Sequence, residues 1–162
     1  MLTAGKFSQV LCAGLFATFA AQVSAQDRPS YGPDINIATA KKVAAGALAE
    51  ATKNNWPVAI AIVDTHGFLV YFEKVDDTQS ASPNIALEKA RTSAMTRRPT
   101  RVFTDVIAKG GGGLAILGLP GIAPNTGGVP IVVGGKIVGA IGVSGVTGDQ
   151  DEQIAIAGAK AL

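Results

Sequence analysis

The sequence holds one cysteine and one histidine in 162 residues, and only 6% of it is aromatic. The cysteine, Cys12, falls in a segment that reads as a leader, so the remainder is free of thiols. That excludes a disulfide framework, a thiolate metal site and a cysteine nucleophile. Charge of either sign is not in excess. Without Lys6 in the leader, the 14 Lys+Arg fall to 13 against 12 Asp+Glu, a balance that gives no electrostatic footprint for nucleic acid or an anionic membrane surface. No internal repeat is visible.

Long hydrophobic runs are also lacking. The longest, "VLCAGLFATFAA" at 10–21, is short of the roughly 20 residues that a membrane span needs. It follows Lys6 and precedes "VSA", ending at Ala25, the order of a secretory signal peptide cleaved before Gln26. The alternative is a buried N-terminal helix. The expectation is a periplasmic or secreted protein without stable membrane insertion after cleavage. Its 137 remaining residues (162 less 25) suffice for one core without disulfides.

Residues 26–33, "QDRPSYGP", read as an exposed arm. From Asp34 or Asn36, either of which can cap, a helix is predicted with Ile37, Lys41, Ala44, Leu48 and Ala51 on its inner face. It ends at "NNWP", since Asn tolerates a helix C-terminus and Pro57 disfavours helix before it. "VAIAIVD" (58–64) and "FLVYFEK" (68–74) read as a hairpin around the turn "DTHG", the first strand apolar on both faces and so interior. Ser82-Pro83 predicts a helix start, with serine as cap, and the helix runs to about Met95. "TRVFTDVIAK" (100–109) is a shorter helix, "GGGG" (110–113) a link, and "LAILGLPGIAPNTGG" (114–128) a loop able to wall a flat apolar ligand or to form an oligomer contact. Two strands around Gly134-Gly135 and a final helix with an acidic first turn complete the chain. This order predicts an α/β (α+β) domain over 34–162, a mainly antiparallel sheet with helices packed against it.

What the sequence does have in abundance is glycine, 20 residues, most densely in "GGVPIVVGGKIVGAIGVSG" at 127–145. A phosphate-binding reading of these glycines fails. Walker A would need glycine where Pro130 stands and Ser/Thr where Ile137 stands. A nucleophile elbow would need glycine where Val146 stands. The better reading is structural: Gly134 and Gly135 turn the hairpin, and Gly139 and Gly142 thin a strand so that another backbone or a ligand can approach.

The same glycine-proline-glycine hairpin, with "GVSG" and the following "QDEQIAIAGAKAL", resembles the C-terminal signature of the GlcG/HbpS-like haem-binding family, which includes the C-terminal domain of PduO-type adenosyltransferases. "VAIAIVDTHGFLVYF" is similar to its central hairpin and "SPNIALEKARTSA" to its next helix. The resemblance implies a profilin-like sandwich, assembly into a homo-oligomer, and haem or a related tetrapyrrole as ligand. One departure stands out: where members often carry an arginine-methionine-aspartate run after the hairpin, this chain has "EKVD", ending at Asp76.

Among residues able to serve such a ligand, His66 in the "DTHG" turn is the candidate iron ligand, against the alternative of a solvated turn residue. Met95 and Tyr71 are further axial candidates, with core or sheet-face packing as the alternative. Lys89, Arg91, Arg97, Arg98 and Arg101 form a basic group that could pair with propionates or be an ordinary solvated face. Of these, Lys89, Arg97 and Arg101, with Gly127, Gly128 and Pro130 at the end of the loop, are the candidate cofactor-binding residues. Asp149, Asp151 and Glu152 could bind a cation or stabilise a helix start. No catalytic set emerges: a triad would have to join His66 to Asp64, and no activated serine motif exists. Two other functions stay open, an enzyme or accessory acting on a small carboxylate such as glycolate, prompted by the basic group, and an oligomeric scaffold.

Overall fold

The computed structural model describes residues 28–162, so the predicted leader and the first two residues of the arm lie outside the described residues. Four strands form one antiparallel sheet in the order β2-β1-β4-β3. They are β1 (Ala59–Val63), β2 (Leu69–Lys74), β3 (Gly128–Val133) and β4 (Lys136–Ser144). Helices α1 (Ile37–Lys53) and α4 (Gly148–Ala159) cover one face, and α2 (Ser82–Thr96) covers the other. Helix α3 (Arg101–Ala108) and a 3₁₀ segment, Gly111–Gly118, link α2 to β3. The result is the predicted α+β architecture.

The two faces of the sheet differ in side-chain size, and the strand period of two separates them. Ile60, Ile62, Ile131, Ile141 and Val143 point into the core beneath α1 and α4. Ala59, Ala61, Val63 and Ala140 meet Ala86, Ala90 and Ala94 of α2. The pairing of Ala61 and Gly128 with Gly142 builds a shallow trough in which α2 lies close. A Cβ on Gly142 would overlap the Ala86 carbonyl and the Ala90 amide, which is why a glycine is needed in the middle of a central strand. Gly134 and Gly135, at φ 56° and 75°, make the hairpin turn, as a two-residue loop with both residues left-handed requires. Pro130 is tolerated because β3 is an edge strand.

Three local expectations are corrected. The inner face of α1 is Ala40, Val43, Ala44, Ala47 and Ala51, while Ile37 and Lys41 are exposed. Small residues win this face because α1 crosses α4 closely: Cα of Gly158 lies where a side chain would strike the Val43 carbonyl. Ser82 does not cap α2; Ala81 holds that position without a side-chain bond, and the Ser82 hydroxyl instead meets Ser144 Oγ at 3.3 Å beneath the helix. The arm is not free from Ser30 onward. The Ser30 carbonyl accepts from the Ile137 amide, and the Gly32 and Ile35 amides donate to the carbonyls of Ile137 and Val138. This segment extends the sheet along β4 beyond Ala140, the last residue that β1 pairs.

Candidate functional site

The basic group divides into a filled corner and an open cleft. In the corner, the Lys89 ammonium is 1% exposed and donates to Asp151 Oδ2 at 2.7 Å and to the Val143 carbonyl at 2.9 Å. Burial pulls the Lys89 pKa down and pushes the Asp151 carboxyl up, while their mutual attraction opposes both shifts. Gly127, at φ 125°, closes over the pair: a Cβ there would lie 2.9 Å from Lys89 Nζ and from Asp151 Cβ. Gly128 is held between the Lys89 backbone and Thr100, exchanging hydrogen bonds of 2.9 Å with the Thr100 amide and hydroxyl. Arg101 is engaged by Asp149 at 2.6 Å and by Glu152, which raises its pKa. Lys89, Arg101, Gly127 and Gly128 are thus brought together, but around protein partners. Pro130 lies two residues along β3. The acidic residues at 149, 151 and 152 serve as these ion-pair partners, and the cap of α4 is Thr147, in a reciprocal capping box with Gln150.

The cleft lies at the C-terminal end of α2. It has a volume of about 450 Å³ and is lined by Tyr31, Gly32, Thr65, His66 and Met95. Three distant parts of the chain build it. The docked arm brings Tyr31, whose hydroxyl donates to the Ala94 and Met95 carbonyls at 2.9 and 3.1 Å. The β1–β2 turn brings Thr65 and His66. That turn is shaped by Asp64, whose Oδ1 accepts from the amides of His66 and Phe68, both at 2.9 Å, and it is braced to α2 by Arg91, which donates from Nε to the Gly67 carbonyl. The end of α2 brings Met95 and Arg97. Met95 is 57% exposed, so core packing is ruled out for it. Arg97 terminates the helix in the left-handed conformation and sets its guanidinium 5.5 Å from the Tyr31 ring centre. Arg98 lies instead over Phe103, and Tyr71 donates to Glu73 on the β2 surface.

The side chain of His66 is 70% exposed. Its Nδ1 lies 3.2 Å from Thr65 Oγ1 and 3.7 Å from Asp34 Oδ2. Hydrogen bonds from the Thr65 hydroxyl and amide, with His66 nearby, hold the Asp34 carboxyl below its ordinary pKa. The ligand-capable atoms of Asp34, Asp64 and His66 lie within 4.8 Å of one another, and these hydrogen bonds account for the grouping without a cation. Sequence reasoning missed Tyr31, Thr65 and Asp34. A tyrosine placed between two prolines in an otherwise polar arm is the one signal that pointed to the first.

A second groove, of about 330 Å³, is walled by Trp56, Pro57, Val75, Asp76 and Asp77. Its carboxylates are ill suited to an anionic ligand. The "EKVD" departure falls at this groove and not at the cleft.

Fold and cleft together define a small-molecule-binding α+β domain: one open cleft carries a nitrogen donor, a thioether and a phenol ring, with the Arg97 guanidinium against that ring. The chain belongs to the HbpS-like family, described as haem degrading proteins, which it matches over residues 35–160. Protein GlcG of Escherichia coli K12 is 42% identical over 105 residues, covering 65% of this chain and 77% of GlcG. Among solved structures, a double mutant of Streptomyces reticuli HbpS superposes with a TM-score of 0.74 at 31% identity, covering 88% of this chain and 97% of that one. The PduOC:heme complex does so with a TM-score of 0.72 at 25% identity, covering 80% and 95%. Among the described residues, no helix is long and apolar enough to cross a membrane.

Proposed function

We propose that this protein is an exported haem-binding protein and that the cleft at the end of α2 is its ligand site. A haem needs an iron donor, an apolar or aromatic wall for its plane, and cations for its propionates. The cleft residues fit each requirement. His66 supplies an imidazole, with Met95 as the second soft donor, Tyr31 supplies a ring, and Arg97 stands against that ring with a guanidinium whose hydrogen bond to the Pro29 carbonyl is long, at 3.5 Å. When bound, haem would supply iron redox chemistry; the protein's part is to hold and orient it. The observation that carries this reading is the convergence of the one histidine, an exposed methionine and a tyrosine on a single cleft, with Arg97 against the tyrosine ring, in a chain of the HbpS-like family. Lys89, Gly127 and Gly128 fix α2 on the sheet, and Arg101 ties α3 to α4.

Haemin titration tests it. The purified protein should give a shifted Soret band that saturates at a stoichiometric ratio, and His66→Ala should change its position and weaken binding by at least about tenfold. An unshifted band, or a variant that titrates like the wild type, removes the proposal. Export rests on Lys6, the apolar stretch and Ala25. The protein recovered from cells should have the mass of a chain beginning at Gln26; a full-length mass would count against export.

A small-carboxylate site at Lys89 has less support, because Asp151 already occupies its ammonium.

A further inference from the structure

The contacts of His66 determine more than its position. Asp34 Oδ1 accepts two hydrogen bonds from Thr65, from the amide at 3.1 Å and from the hydroxyl at 2.5 Å. A hydroxyl has one proton. With that proton directed at Asp34, Thr65 Oγ1 can meet His66 Nδ1, at 3.2 Å, only as an acceptor. Asp34 Oδ2, on the same side of the ring at 3.7 Å, likewise offers lone pairs and no proton. Both groups facing Nδ1 therefore call for a proton on that nitrogen. Free imidazole side chains in water favour the opposite tautomer, with the proton on Nε2.

We infer that Asp34 and Thr65 form a relay that fixes neutral His66 as its Nδ1–H tautomer, leaving the Nε2 lone pair as the one available to an iron. Asp34 and Thr65 are then positioning residues. The inference rests on the proposed haem site for its use, though not for the tautomer itself. Anchoring the far nitrogen of a histidine ligand to a carboxylate or hydroxyl fixes the ring and raises its basicity toward a metal. The relay is anchored in the fold. Thr65 is buried at the end of β1, and Asp34 is carried by the docked arm, one residue before Ile35, whose amide is tied to β4. The arm thus contributes both a wall of the cleft, through Tyr31, and the orientation of its donor.

The tautomer can be read without haem. His66 is the sole histidine, so a ¹⁵N spectrum of the haem-free protein contains one imidazole. At a pH well above the ordinary histidine value of about 6.5, Nδ1 should resonate in the protonated, pyrrole-like range and Nε2 in the bare, pyridine-like range. Thr65→Val keeps the branched shape but removes the nearer acceptor and leaves only Asp34 Oδ2 at 3.7 Å, so it should shift the two resonances part of the way toward the opposite order. Asp34→Ala, at a more exposed position, frees the Thr65 proton to point at Nδ1 and should do the same, which covers the case of a poorly folded Thr65→Val protein. A wild-type spectrum with the proton on Nε2, or variants with unchanged resonances, would overturn the inference. In a haemin titration either variant should weaken binding on the order of tenfold. A changed tautomer with unchanged haemin affinity would overturn the relay's role in iron ligation. Failure of the wild type to bind haemin would remove the ligand, while an Nδ1–H spectrum would still uphold the tautomer.

Discussion

The middle and the C-terminus of α2 carry similar-looking chemistry to opposite outcomes. Near its middle, Lys89 is enclosed with Asp151 beneath Gly127. At its C-terminus, Met95 and Arg97 stand open beside Tyr31 and His66. Both places have cations within a few residues of each other on one helix. What separates them is the partner delivered from elsewhere: an acidic helix start 62 residues away for Lys89, and an aromatic arm for Arg97. A buried cation with its own carboxylate holds the fold, whereas a half-buried one against a ring keeps donor groups for a ligand.

Breaking the closed end should have the largest effect. Lys89→Ala leaves Asp151 buried without its partner and should lower stability by about 3–5 kcal/mol, read as a fall in the midpoint of denaturant unfolding. Replacing both members, as Lys89→Met with Asp151→Leu, should recover much of that loss, because no lone charge remains. Haemin affinity of the folded double variant should match the wild type; a large loss there would move the ligand site to this corner. Disturbing the open end should do the reverse. Arg97→Asn keeps a residue that tolerates the left-handed conformation. It should weaken haemin binding about tenfold, on the order of 1.4 kcal/mol for one charge-assisted contact. Haemin dimethyl ester, which has no carboxylates, should not distinguish the two proteins.

The smallest effect concerns acid. The Asp34 carboxyl is held below its ordinary pKa by Thr65. A carboxyl with a depressed folded-state pKa contributes stability that is present above its unfolded value, about 3.9, and disappears as pH falls through the folded one. Wild type should therefore melt slightly higher than Asp34→Asn near pH 6, and the two should converge well below pH 4. Melting curves that stay parallel throughout would mean that the contact with Thr65 adds nothing to the fold.

Much of the scaffold was legible because local rules decide it. Gly134-Gly135 permits only a tight hairpin, the unbroken apolar run that opens 58–64 marks an interior strand, and Pro57 disfavours helix beyond α1. Gly142 was also legible as a point of close approach, though not which element approaches. The site was less so. His66 and Arg97 were singled out from residue type, but Lys89 looked equally available, since nothing near it in sequence announces Asp151. Met95 directly follows Ala94, the last of the buried alanines spaced four apart on α2, and reads as core, yet it is exposed. Tyr31 and Asp34 act through backbone pairing of the arm with Ile137 and Val138, and such pairing leaves no trace in side-chain periodicity.

Tyr31, His66 and Met95 come from segments that meet only once the arm, the first hairpin and α2 are all in place. A guest lodged among them would have almost no grip on the unfolded chain, so each tenfold excess over its dissociation constant adds about 1.4 kcal/mol to the native state. Thermal denaturation monitored with increasing ligand would then climb steadily, and because residues 28–162 hold no cysteine, such cargo would take over part of the reinforcement that disulfide crosslinks provide in other proteins.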